Sequence, residues 1–128
     1  MAQVKVYGLA SVLAPSRAAV SDAVHAALVE GLGIPADKRF HRFFPLAPED
    51  FVHPAGRSER YTIVEVLLFA GRSEQAKKKA YAALYRGFAA LGTAAEDLEV
   101  VLIETPRVDW AIRGVPGDEL ALSYAVET

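Results

Sequence analysis

The chain contains no cysteine, which removes disulfides, thiolate metal sites and cysteine nucleophiles from consideration. Tryptophan and methionine occur once each, and no proline precedes Pro15. No apolar run approaches the roughly 18 residues of a membrane span. A charged segment followed by an apolar one is also missing from the front, so the expectation is a cytoplasmic protein without a membrane partner. Excess charge is lacking too: 14 Lys and Arg stand against 16 Asp and Glu, a net −2. The short run Lys77-Lys78-Lys79 reads as a solvated helix face, and no nucleic-acid partner is expected. His25, His41 and His53 share no ligand spacing such as H-x-x-x-H, so neither metal nor cofactor is expected.

Of the 128 residues, 52% are hydrophobic and 23% charged, which suits one globular domain spanning 1–128. Alternation at Val4 and Val6 predicts a strand through Gly8. Pro15-Ser16 then reads as a helix start with Ser16 as cap. Val20, Ala23, Val24, Ala27 and Leu28 follow at helical spacing, and Gly31 and Gly33 end the helix. Arg39 to Phe44 reads as an aromatic-rich strand, and Pro45, Pro48 and Pro54 mark a long loop through Gly56. Tyr61 to Phe69 is a strongly apolar strand. Ser73 caps a second helix with Ala80, Leu84, Phe88 and Leu91 on its buried stripe and Gly92 at its end. Leu98 to Ile103 reads as a last strand before Pro106.

The two halves align at an offset of about 59 residues, with Leu32-Gly33 opposite Leu91-Gly92 and Val4 opposite Ile63. The pseudo-repeats run over about 2–46 and 61–106. A βαβ unit used twice predicts an α+β fold with a four-stranded mixed sheet and two helices on one face. The other face, for which Phe40, Val64, Val66, Leu67, Val100 and Val101 leave few polar residues, then requires covering by further copies of the chain.

Several local patterns resemble one branch of the tautomerase superfamily, the group of malonate semialdehyde decarboxylase and cis-3-chloroacrylic acid dehalogenase. They are Asp22-Ala23-Val24-His25 with Val29-Glu30, Gly33-Ile34-Pro35 through Arg39-Phe40, Arg57-Ser58-Glu59, Gly71-Arg72-Ser73 with Gln75, and Asp109-Trp110 with Gly114. The resemblance implies a homotrimer with small pockets near subunit interfaces. There an N-terminal proline moves a proton on a small keto or unsaturated acid while arginines hold its carboxylate. Here Ala2 occupies the proline position. Its α-amine, with an ordinary pKa near 8, becomes a base only if Met1 is removed. His25 and Asp37 are the other catalytic candidates; Asp37 falls one residue before the family carboxylate, whose slot holds Lys38. Arg72 is the expected carboxylate anchor, Arg39 a second cation and Trp110 a pocket wall. Arg57, Arg113 and Tyr124 are further candidates for the pocket of a trimer, and the sequence does not decide among them. The functional expectation is weak or altered tautomerase, decarboxylase or hydratase-type activity. The alternative is a non-catalytic homotrimer that binds small acids or acts as a scaffold.

Overall fold

The computed structural model describes residues 2–126. Met1, whose removal decides whether Ala2 carries a free amine, lies outside the described residues. Strand β1 (Ala2–Leu9) runs directly into helix α1 (Ala10–Leu32), then β2 (His41–Leu46). The second half repeats the order with β3 (Thr62–Phe69), α2 (Glu74–Ala90) and β4 (Leu98–Thr105). Each helix crossover joins parallel strands, β1 with β2 and β3 with β4, and β1 pairs antiparallel with β3. The sheet order is therefore β2-β1-β3-β4, the expected mixed sheet. A two-stranded hairpin of β5 (Ala111–Ile112) and β6 (Val115–Pro116) follows.

Alternation along β1 and β3 turns Val4, Val6, Val64 and Val66 toward the helices, where all four are essentially buried. Val24, Leu28 and Leu32 of α1 meet Ala80, Leu84 and Phe88 of α2 above them, and each fully buried leucine contributes about 2 kcal/mol. The helices approach closely because Gly31 lies against the Ala80 backbone, where any Cβ would collide. Val64, Val66 and Val100 thus belong to the covered face, not the open one. Ile63, Leu67 and Val101 do alternate onto the open face beside Tyr7, Phe44 and Glu65, and Val101 is 47% exposed.

Three sequence expectations change. First, α1 begins at Ala10, and Pro15 lies inside it. Ser16 is no cap: its Oγ donates back to the Val12 carbonyl at 2.8 Å. Burial of Leu13 at 3% exposure rewards the extra turn and offsets the one backbone donor that the proline lacks. Second, β2 starts at His41 and continues through Pro45; as an edge strand it tolerates a residue without an N–H. Third, the repeat offset is not uniform. The helix ends keep 59, Gly33 and Gly92 both having positive φ, but β1 and β3 start at Ala2 and Thr62, 60 apart. Val4 therefore corresponds to Val64, which preserves its face, because a one-residue slip reverses every side chain. Ser73 does cap α2, accepting from the Ala76 amide at 3.1 Å.

Candidate functional site

Pairing of Ala2 with Leu68 sets the start of β1 beside the end of β3. Beyond Phe69 the chain turns through Ala70 and Gly71, whose φ of 135° suits glycine, and delivers Arg72 to this corner. Ala2 is 6% and Arg72 5% exposed. Arg72 Nη1 donates to the Phe69 carbonyl at 3.2 Å. Among the described residues its Nε and Nη2 are buried without a partner. Burial lowers the Arg72 pKa, and Glu104 nearby acts in the opposite sense; Glu104 itself is engaged by Lys77. Burying a cation with two orphaned donors is costly unless an anion completes it. The fork geometry of a guanidinium suits a carboxylate in two-point contact.

Trp110 joins the same corner. Phe69 pairs with Thr105 across β3 and β4, and Trp110 Nε1 donates to Thr105 Oγ1 at 2.6 Å. The indole stands edge-on to Phe69, centroids 5.1 Å apart. Tyr124 and Val126 pack on the same phenyl ring cluster, so the last described residues fold back over the end of β3. Arg107 fixes this fold-back by donating to the carbonyls of Gly117 and Leu120.

The other flank of Ala2 is formed where β2 begins. His41 pairs with Val4 and shares a hydrogen bond of 2.8 Å between its Nδ1 and Ser21 Oγ. His25, 6% exposed, donates from Nε2 to the Ala36 carbonyl at 2.8 Å, which leaves Nδ1 as its acceptor. The two imidazole centroids are 6.1 Å apart. Burial first, then the neighbouring His25 and Arg39, lower the His41 pKa to about 4, so His41 is neutral near pH 7. Arg39 closes an exposed ion pair with Asp22 at 2.6 Å. A cavity of about 420 Å³ opens between Gln3 and residues 39–42.

Ala2, Arg72 and Trp110 therefore gather around the end of β3, and His25 and Arg39 lie across β1 from them. Asp37 does not join either group; it is exposed on the turn ahead of β2. Arg57 lies at the opposite end of the sheet, paired with Glu99 at 3.0 Å, because β4 begins there. Arg113 occupies the exposed tight turn of the β5–β6 hairpin with φ 53°. His41 is the residue that sequence reasoning missed. Its contacts span from α1 to β2, and the only local signal is a histidine at the first position of an otherwise aromatic strand.

Comparison with known proteins follows the same lines. The family model described as "Tautomerase enzyme" matches residues 38–113, more than half of the chain. A malonate semialdehyde decarboxylase solved with the inhibitor 3-bromopropiolate is 32% identical, with 85% of this chain and 87% of that one covered and a TM-score of 0.72. Another malonate semialdehyde decarboxylase, described with decarboxylase and hydratase activities, is 24% identical over 86% of this chain and 89% of that one, TM-score 0.77. A fused 4-OT solved as a symmetric trimer is 26% identical over 88% and 93%, TM-score 0.74. With the family model over most of β2 to β5 and the full β-α-β-β-α-β order in place, the chain belongs to the tautomerase superfamily.

Proposed function

We propose that the corner between Ala2 and Arg72 binds a small keto or unsaturated carboxylic acid and turns it over weakly or in altered form, by tautomerase, decarboxylase or hydratase-type chemistry. The observation that supports this most is the buried Arg72 guanidinium with Nε and Nη2 unpartnered among the described residues. A carboxylate there satisfies both donors and removes the desolvation cost. Ala2 is the favoured base. With Met1 removed its α-amine sits in a buried position near the Arg72 cation, and both effects depress an ordinary pKa near 8 toward neutrality. In the tautomerase case the amine takes the enol O–H proton, and the resulting ammonium returns a proton to carbon as the ketone forms.

Arg39 is the second cation of the reading and Trp110 the apolar wall. His25 and Asp37 rank behind Ala2: His25 has its Nε2 proton committed to Ala36, and Asp37 is solvent-exposed on its turn. A homotrimer covers the open sheet face, where Ile63, Leu67 and Val101 otherwise meet water. A second reading is a binding or scaffold trimer, favoured if Met1 is retained, because the Ala2 nitrogen is then a non-basic amide.

The test is enol-to-keto conversion of phenylenolpyruvate and 2-hydroxymuconate by protein whose N-terminus has been verified by mass spectrometry. Wild-type activity that is lost in Arg72→Ala supports the enzyme. An inactive wild type that gains activity in Ala2→Pro supports the binding protein. Inactivity in all variants contradicts both the base and the carboxylate anchor.

A further inference from the structure

The antiparallel pairing of β1 with β3 is symmetric: Ala2 pairs with Leu68 at one end and Gly8 with Thr62 at the other. A two-fold relation between the halves therefore gives the Ala2–Arg72 corner a counterpart at the opposite end of the sheet. At about 3.3 Å per residue the six strand residues between them separate the corners by roughly 20 Å. Thr62 takes the place of Ala2. Where the first corner has Arg72, an offset of 59 or 60 residues brings Leu13 or Val12.

This second corner is not filled. A cavity of about 330 Å³ opens there between the start of α1 and the end of α2, lined by Leu13, Val20, Phe88 and Leu91, with Arg60 and Thr93 among its polar members. That volume lies at the lower end of the range for small-molecule sites. Leu13, Val20 and Phe88 are almost fully buried from solvent, so the floor is apolar and offers a charge nothing to replace its lost hydration. The mouth differs. Arg60 reaches across the end of α2, its Nη2 near the Gly92 backbone. Among the described residues its guanidinium makes no hydrogen bond or ion pair; only its backbone groups are engaged, by Ser58 and Thr62. Glu59 shares the rim and is solvent-exposed. The start of α1 has no side-chain cap and no acidic residue in its first turn, so the local field also favours an anion.

We infer that this cavity is a second ligand site, separate from the Arg72 corner, that takes a small carboxylic acid with an apolar body. The body replaces water against the more exposed apolar lining above that floor, Val12, Pro15 and Leu91, and the carboxylate stays at the mouth on Arg60. A charged group at the rim and an apolar group at the floor is the reverse of the Arg72 corner, where the cation is buried. The two sites therefore select different acids, a short polar one at Arg72 and a more apolar one here.

Phenylacetate and its neutral analogue phenylacetamide are suitable probes, titrated into the 15N-labelled full chain. Phenylacetate is expected to give saturable amide shifts at Gly8, Leu13 and Thr93 that persist in Arg72→Gln. Phenylacetamide should bind several-fold more weakly, and Arg60→Gln should remove that difference. Ala19→Phe, at an exposed helix position on the rim, should abolish both sets of shifts without altering the remaining spectrum. Shifts confined to residues around Phe69 and Arg72, an absence of saturation, or binding unchanged by Ala19→Phe would overturn the site. Equal binding of acid and amide to wild type would overturn the role of Arg60 and the carboxylate class.

Discussion

Arg72 donates to the carbonyl of Phe69, three residues earlier, and that single hydrogen bond at 3.2 Å is all that satisfies, among the described residues, a guanidinium 5% exposed to solvent. The contact orients the side chain and leaves Nε and Nη2 buried without a partner among the described residues, on the turn that follows β3. A residue kept for stability would be paired more fully. Replacing a buried, poorly paired charge by an apolar residue of similar length is often stabilising. Arg72→Met should therefore raise the unfolding free energy of the ligand-free protein by about 1 kcal/mol while abolishing stabilisation by small carboxylates. Denaturant unfolding with and without a 2-oxo acid measures both; a large loss of stability in the ligand-free variant would mean that Arg72 is structural.

His41 gives the fold a pH dependence whose sign is fixed by its surroundings. Its pKa is about 4 in the folded chain against an ordinary value near 6.5. Between those values the unfolded chain binds a proton that the folded chain refuses, so stability falls as pH drops from about 6.5 to 4. With allowance for partial solvent screening, the loss is on the order of 2 kcal/mol. His41→Gln should flatten this part of the unfolding profile, and a slope identical to wild type would assign it to other groups.

The single tryptophan is a built-in reporter of the corner. Trp110 touches Phe69 and donates to Thr105, one residue beyond Glu104 and across Phe69 from Arg72. Binding of a small carboxylate at Arg72 should change Trp110 fluorescence in wild type and leave it unchanged in Arg72→Gln. Thr105→Val should shift the emission on its own and cost about 1 kcal/mol, the typical worth of one hydrogen bond. Carboxylate-dependent emission that survives Arg72→Gln would place the anion elsewhere.

Close packing of α1 on α2 depends on Gly31. A Cβ there meets backbone atoms of Ala80, which side-chain rotation cannot relieve, so Gly31→Ala should destabilise by about 1–3 kcal/mol. Gly87, whose added Cβ would meet the Ala23 methyl at 3.4 Å and its backbone at 3.8 Å or more, all ordinary contacts, should accept alanine with little change or a small gain in helix propensity. Thermal unfolding of the pair checks this, and equal midpoints would contradict the close approach.

Much of the fold was legible because its signals are local. Alternation marked β1, a strongly apolar run marked β3, Ser73 and Gly92 marked the ends of α2, and repetition of strand, helix and strand dictated parallel pairs. The start of α1 was not legible, since Pro15 reads locally as a first-turn residue, whereas burial of Leu13 extends the helix back to Ala10. The repeat offset was misread by one because helix ends and strand starts do not share a common spacing. At the site, Arg72 and Trp110 stood out through their motif positions. His41 did not, because a histidine acquires meaning only from Ser21 and His25, which α1 brings to it. The second cavity was equally hidden: Leu13, Phe88 and Arg60 are unremarkable until the two-fold relation puts them at one corner.

Isothermal titration of a short 2-oxo acid such as pyruvate into wild type and Arg72→Gln tests the central claim most directly. A carboxylate anchored on Arg72 predicts saturable binding in wild type, weakened roughly 10- to 100-fold in the variant, as expected for loss of charged hydrogen bonds worth about 1.5–3 kcal/mol. Equal affinity in both proteins, or no binding to wild type, would contradict the account.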